Sequence, residues 1–174
     1  MNFLNFYNIP ISFQVNKKSL KRTLYANSKK YHPDFYTLEG EEKQAEILEL
    51  STLNNQAYST ISDFDKRMKY VLDLKGVLKE EGKNKVPTDF LMEMMDINEN
   101  LMDLEFGFND HLYRSVLTSL ENLESTIYQE IEDIVTTYED ATATTADLSL
   151  LKNFYLKKRY LLRIKENLSK FASP

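Results

Sequence analysis

Apolar side chains recur every three or four residues along most of the chain, the spacing that places them on one face of an α-helix. The longest such row consists of Leu112, Val116, Leu120, Leu123, Ile127, Ile131, Ile134 and Tyr138. It predicts a helix of about 30 residues, or roughly 45 Å at 1.5 Å per residue. No segment shows a strand-like alternation that competes with the helical pattern. The sequence therefore predicts an all-α fold.

Four helices are predicted in the first 76 residues. Their expected ranges are Phe3–Tyr7, Lys17–Tyr31, Glu41–Ile61 and Asp63–Lys75. Asn16 is a suitable N-cap for the second helix because its side chain can accept a hydrogen bond from the first turn. In the third helix, Asn54 is the one polar member of an otherwise apolar row.

Glycine and proline divide the chain after these helices. Gly76 and Gly82 bracket a short polar stretch that leads to Pro87, and such a stretch favours a linker. The predicted domains are residues 1–76, a linker at residues 77–86 and a three-helix bundle at residues 87–174. Its helices are expected from Pro87 to about Phe106, along the long row, and after Asp147, which is expected to cap the last one. The row of that last helix is Leu150, Phe154, Leu161, Ile164, Leu168 and Phe171.

Charge is distributed unevenly along the chain, whose net charge is −5. Residues 1–76 carry +2, residues 77–140 carry −12 and residues 141–174 carry +5. The acidic middle argues against a nucleic-acid surface, which needs a continuous basic face. Either the acidic helices pack beside basic ones, or their charge is available to a basic partner.

No stretch has the length of a membrane span, so a cytoplasmic location is expected.

His32, Pro33 and Asp34 directly follow the second predicted helix. Pro33 disfavours the helical conformation at His32, so the helix must end there. The exposed sides of this helix carry only basic charge, from Lys17, Lys18, Lys21, Arg22, Lys29 and Lys30. From the residues alone, the tripeptide can be a helix terminator or part of a binding loop.

A Tyr-His-Pro-Asp sequence at the end of a basic helix resembles the J-domain, a module that stimulates ATP hydrolysis by DnaK-class chaperones. The resemblance implies that His32, Pro33 and Asp34 contact the chaperone ATPase. It also implies that basic residues of the helix, for which Arg22, Lys29 and Lys30 are the candidates, steer the encounter with an acidic surface. Steering of this kind raises the association rate and weakens with salt.

J-proteins of the DnaJ type continue into a Gly/Phe-rich segment and a zinc module, which four glycines and no cysteine exclude. Three other groups of residues carry a closer resemblance: Asn55-Gln56-Ala57-Tyr58 with Arg67, Tyr70, Leu72, Leu74 and Gly76; Phe90-Leu91-Met92-Glu93; and Lys158-Arg159-Tyr160-Leu161 with Ile164. Through these stretches, nearly the whole chain resembles the HscB-type co-chaperones of iron–sulfur cluster assembly. This resemblance implies a J-domain followed by a client-binding three-helix bundle.

The helix after Pro87 carries more apolar surface than a bundle contact needs. One face holds Phe90, Met94, Ile97, Leu101 and Leu104, and a second strip holds Leu91, Met95 and Met102. Either Leu91 and Met102 widen the bundle contact, or the strip is an adaptable protein-binding face rich in methionine. The client-contact residues that the HscB resemblance implies are Leu91, Met92, Met95, Asp96, Glu99, Asp103 and Tyr160. Tyr160 can equally be a residue at the edge of the core.

The expected function is therefore that of a non-enzymatic adaptor that delivers the iron–sulfur scaffold protein IscU to a DnaK- or HscA-class ATPase. No cofactor or metal is expected, because two histidines and no cysteine give no recognisable ligand set. No nucleic-acid or membrane partner is expected. The alternatives are a J-domain co-chaperone with another client, and a structural helical adaptor without J-domain activity.

Overall fold

The computed structural model describes residues 2–80 and 82–171. Within these residues all regular structure is helical, which confirms the all-α prediction. The chain forms two compact units: unit 1 contains Met1–Leu74 and Val135–Ala143, and unit 2 contains Lys75–Ile134 and Thr144–Pro174. Unit 1 thus includes a segment that lies inside the range 87–174 predicted for the bundle.

Unit 1 is built on a helical hairpin that carries the His-Pro-Asp loop. Its elements are α1 (Phe3–Phe6), α2 (Lys17–Lys30), a 3₁₀ turn (Pro33–Tyr36), α3 (Glu41–Ser62) and α4 (Phe64–Leu74). These helices match the four predicted ones to within two residues at each end. Asn16 caps α2 as predicted, since its side chain accepts a hydrogen bond from the N–H of Ser19 at 3.0 Å.

Asn54 is buried with the apolar row of α3 and joins three helices of unit 1. Its Oδ1 accepts a hydrogen bond from the hydroxyl of Tyr7 at 2.8 Å. Its Nδ2 donates to the carbonyl oxygen of Leu24 at 3.2 Å and to Oγ of Ser28 at 3.1 Å. Burial, assisted by the charge of Tyr58, raises the pKa of Tyr7 to about 12. The buried amide is therefore satisfied and fixes how α1 and α2 lie on α3.

Arg67 is the buried cation of unit 1, with 5% of its surface exposed. Its guanidinium donates to the carbonyl oxygens of Phe13 at 3.0 Å, Asp63 at 3.3 Å and Ile61. Burial lowers the pKa of Arg67, and the nearby charge of Asp63 opposes that change. These bonds satisfy carbonyls at the end of α3, so Arg67 has a structural role.

The first helix of unit 2 is divided in two, so the prediction of one helix to Phe106 was wrong in this detail. The two parts are α5 (Thr88–Glu93) and α6 (Met95–Phe106). At Met94 between them φ is −79° and ψ is −6°, and the N–H of this residue is shared between the carbonyls of Phe90 and Met92. The break is confined to this residue: its N–H still bonds to the carbonyl of Phe90 at 3.1 Å, and its carbonyl accepts from the N–H of Asn98 at 2.9 Å.

The long helix is also divided, into α7 (Asp110–Gln129) and α8 (Glu132–Thr137). The N–H of Ile131 bonds to the carbonyl of Tyr128 at 3.0 Å, a tighter i to i−3 bond. The residues from 131 to 137 are mostly β-branched, and such side chains lose rotamer freedom in a helix. After the break, Val135 is buried in place of Ile134. The prediction of one 30-residue helix was therefore wrong.

Val135–Ala143 belongs to unit 1 through side-chain contacts. The rings of Phe13 and Tyr138 meet edge to face with 4.7 Å between their centroids. Nε2 of Gln14 donates to Oγ1 of Thr136 at 3.3 Å. Aromatic packing and a hydrogen bond thus tie this segment to residues that precede α2.

The last helix, α9 (Thr145–Ser169), is capped by Thr144 rather than by Asp147, so the predicted cap was wrong. Thr144 is the N-cap and Asp147 is the third helical residue of a capping box, in which each side chain bonds the other residue's N–H. The N–H and the hydroxyl of Thr144 both donate to the carboxylate of Asp147, and these two hydrogen bonds lower the pKa of Asp147. Leu151 is fully buried whereas Leu150 is 44% exposed, which moves the predicted apolar row by one residue at this end.

Candidate binding surfaces

The His32-Pro33-Asp34 tripeptide lies on the surface, immediately after α2. His32 has an extended backbone, as expected before proline, and serves as N-cap of the 3₁₀ turn. Its Nδ1 accepts a hydrogen bond from the N–H of Asp34 at 3.4 Å, while the Asp34 side chain is 82% exposed. The loop therefore presents an imidazole and a carboxylate to solvent.

The residues around the tripeptide hold it in place. The hydroxyl of Tyr36 donates to the carbonyl of Lys30 at 2.8 Å, which connects the 3₁₀ turn to the last turn of α2. The N–H of Phe35 donates to the carbonyl of His32 at 3.1 Å. Beyond the turn, Nε2 of Gln44 donates to the carbonyl of Glu39 at 2.7 Å. The exposed groups are thus carried on a backbone anchored at both ends.

The predicted steering residues lie on the exposed side of α2. At 100° per residue, Arg22 and Lys29 lie within about 20° of each other and about 160° from the buried Leu20. Lys30 lies about 80° from Arg22, with its Nζ 5.0 Å from the ring centroid of Tyr31. Lys18 shares the direction of Arg22 to within about 40°, although it was not among the predicted site residues.

The predicted client strip, together with the neighbouring Met92, is exposed, as expected for a surface beyond the packing face. Its exposed fractions are 38% for Leu91, 62% for Met92, 65% for Met95 and 58% for Met102. We call these four residues the methionine face. Met102 is mostly exposed, whereas Leu91 is partly covered, so the alternative of a wider bundle contact stays open for Leu91. Of the predicted packing residues, Phe90, Met94, Ile97 and Leu104 are buried and Leu101 is half-buried.

Three exposed acids border the methionine face. Asp96, Glu99 and Asp103 lie about 40° to 100° to one side of Met95 on α6. The acids of α7 are used differently: Glu124 pairs with Lys165, and Glu130 pairs with Lys157 at 3.0 Å. Some acids of the middle segment therefore pair with basic residues of α9, whereas those of α6 are exposed.

Tyr160 is half-buried between α6 and the core of unit 2. Its ring meets Phe90 edge to face at 6.0 Å, and its hydroxyl accepts a hydrogen bond from Nδ2 of Asn98 at 3.0 Å. These contacts give Tyr160 a packing role in unit 2.

Phe106, predicted from the sequence only as a helix end, is an exposed apolar residue. It is the last residue of α6 and is 89% exposed. Extending the helical spacing of Met95 and Met102 by one more turn would have revealed it.

The described part of the chain contains no cluster of acids or histidines suited to a metal ion, and no described helix is long and apolar enough to cross a membrane.

Comparison with known proteins connects these surfaces to a family. The model of the HSCB C-terminal oligomerisation domain matches residues 86–169. The co-chaperone protein HscB of Buchnera aphidicola from Acyrthosiphon pisum is 33% identical over 133 residues, which cover 75% of this chain and 72% of that protein. The chain belongs to the HscB co-chaperone family. HscB of Proteus mirabilis is 26% identical over 170 residues, which cover 95% of this chain and 92% of that protein.

Solved HscB structures share the fold. The crystal structure of human HscB matches with a TM-score of 0.76 at 21% identity, covering 97% of this chain and 81% of that one. HscB from Vibrio cholerae matches with a TM-score of 0.61 at 22% identity, covering 97% of this chain and 99% of that one. The N-terminal J-domain and the C-terminal helical domain are therefore those of HscB. Family membership gives this chain the role of a co-chaperone.

Proposed function

We propose that the protein is a cytoplasmic adaptor that brings the iron–sulfur scaffold protein IscU to a DnaK- or HscA-class chaperone and stimulates the ATPase of that chaperone. In this way it assists the transfer of iron–sulfur clusters. The observation that carries the proposal is the presence of two exposed surfaces of different chemistry, one in each unit.

The chaperone-binding part of the proposal rests on the loop after α2. His32 and Asp34 are exposed on an anchored backbone, so docking requires little ordering of the loop. Arg22 and Lys29 face solvent on the adjoining helix, where their charge attracts an acidic surface over roughly a Debye length of 8 to 10 Å. We assign His32, Pro33 and Asp34 to the ATPase contact, and Arg22, Lys29 and Lys30 to steering.

The client-binding part rests on the methionine face. Flexible, polarisable methionine side chains adapt to a partner surface, and the acids beside them favour a partner with basic groups. We assign Leu91, Met92, Met95, Asp96, Glu99 and Asp103 to the client contact. We assign Tyr160 to the edge of the client contact, because the ring of Tyr160 already packs on Phe90.

The two contacts act together because one chain carries both. When the client is bound to one unit and the chaperone to the other, their encounter becomes intramolecular, with an effective concentration in the millimolar range for short connections. Neither contact then needs to be tight. A J-protein with another client would make the chaperone contact but would not bind IscU. A structural adaptor without J-domain activity would not make the chaperone contact.

Two measurements on purified proteins distinguish these possibilities. ATP turnover by an HscA-class chaperone is measured with and without this protein, and calorimetry measures binding of IscU. Stimulation together with IscU binding supports the adaptor. Stimulation without IscU binding indicates another client, and the absence of stimulation contradicts J-domain activity.

A further inference from the structure

Phe106 ends α6 as a large aromatic side chain in contact mainly with solvent. With 89% of its surface exposed, it is more exposed than any member of the methionine face. Gly107 follows with an extended backbone that ends the helix. Phe108, itself 57% exposed, lies beside Tyr113 of α7, with the two rings tilted by 49° and their centroids 5.9 Å apart. Apolar surface therefore extends to the end of the helix and beyond it.

Phe106 lies on the same side of α6 as the methionines. At 100° per residue it is displaced by about 20° from Met95 and by about 40° from Met102. The distance along the axis from Met95 to Phe106 is about 17 Å at 1.5 Å per residue. Single exposed apolar residues are ordinary in proteins, but a row along one helix face marks a surface for another molecule.

The charge beside this row indicates what covers it. Glu99 and Asp103 lie on the same part of α6, and Glu105 is the neighbour of Phe106 in sequence. No basic residue occurs on α5 or α6. A second copy of this helix would bring like charges together, whereas a partner surface with basic groups around an apolar recess is complementary.

We propose that Phe106 is an aromatic anchor of the client-binding face, and that it inserts into an apolar recess, rimmed by basic groups, on the client. This inference rests on the proposed function, since it extends the same face by one helical turn beyond Met102. Aromatic anchors that become buried on binding commonly dominate interface energetics, because they remove much apolar area from water with few rotors to fix.

The test measures binding of purified IscU to the full chain by calorimetry. We expect Phe106→Ala to weaken binding by about tenfold or more, and Phe106→Tyr, which keeps the ring, to restore most of the affinity. Leu150→Ala is the matched control, because Leu150 is a 44% exposed apolar residue on α9. It should bind like the unaltered protein. Circular dichroism should show that all three variants fold.

A combined Leu91→Ala, Met92→Ala and Met95→Ala variant separates this inference from the function on which it rests. Loss of binding in that variant with normal binding by Phe106→Ala overturns the role of Phe106 and leaves the client face intact. Normal binding by both removes the client face and the anchor together. Sedimentation provides a further check: if Phe106→Ala dissociates a dimer of the unaltered protein, the residue contacts a second copy and the proposal is overturned.

Discussion

Nδ2 of Asn98 donates a hydrogen bond to the hydroxyl of Tyr160 at 3.0 Å, which joins α6 to α9 within unit 2. The ring of Tyr160 packs edge to face on Phe90. Tyr160 therefore stabilises the helix that carries the methionine face, whether or not it also contacts a client. A substitution that removes only the hydroxyl and one that removes the whole ring distinguish the stabilising role from the client contact.

Tyr160→Phe removes the hydrogen bond and keeps the ring, so we expect the free energy of unfolding to fall by about 0.5–1.5 kcal/mol with IscU affinity unchanged. Tyr160→Ala also removes the packing on Phe90, and we expect a loss of about 2–4 kcal/mol together with weaker IscU binding. Urea denaturation and calorimetry measure the two effects. Unchanged affinity in Tyr160→Ala would exclude Tyr160 as a client contact.

Asp34→Asn tests the chaperone-binding loop. Asp34 is 82% exposed, so its replacement by an isosteric amide should leave the melting temperature unchanged. The change removes the carboxylate charge, and we expect stimulation of the chaperone ATPase to be lost while IscU binding persists. Steady-state ATP turnover measures this. Full stimulation by the folded variant would contradict the J-domain mechanism.

Charge reversal on α2 tests steering. We expect Arg22→Glu with Lys29→Glu to slow association with the chaperone by about tenfold or more at low salt, and to remove most of the dependence on ionic strength. Lys17→Glu is the control, since Lys17 lies about 140° from Arg22 on the same helix. It should have a smaller effect. Stopped-flow association rates that do not change with salt in the unaltered protein would exclude steering.

Leu91→Ala combined with Met92→Ala and Met95→Ala tests the methionine face. These side chains are exposed, so we expect much weaker IscU binding with a nearly unchanged melting temperature. Met94→Ala is the contrasting control: Met94 is fully buried, and its truncation should cost about 2–5 kcal/mol of stability. A large fall in melting temperature of the triple variant would show that its residues belong to the core.

The buried hydroxyl of Tyr7 predicts an alkaline instability. Its pKa is raised to about 12 because burial disfavours the charged form, so the folded state retains this proton longer than the unfolded chain does. Its contribution to stability is complete below pH 10 and is lost as the pH rises through 12. Tyr7→Phe should be less stable than the unaltered protein at neutral pH, because Asn54 loses a partner. The difference should shrink between pH 10 and 12, and urea unfolding at several pH values measures it. A constant difference would contradict the raised pKa.

The sequence alone was sufficient to predict the four helices of unit 1 and their ends. Asn16 caps α2 and Pro33 ends it, through interactions that span only a few residues. Helical spacing also predicted that Met94 is buried and that Met95 is exposed. The family resemblance, carried by short stretches such as Tyr31 to Asp34, was confirmed by the comparisons. Helix ends and buried positions of this kind can be predicted from the sequence because residues close together in the chain determine them.

Only the tertiary structure determined which of two adjacent helical residues is buried where the sequence allowed either one to face the core. Leu151 is buried instead of Leu150, and Val135 instead of Ile134, because the neighbouring helices determine which adjacent residue faces the core. The placement of Val135–Ala143 in unit 1 and the anchoring of Tyr160 likewise depend on contacts between residues that are far apart in the sequence. Apolar spacing determines that a helix has a buried face, but the contacts made by packing fix where that face begins and ends.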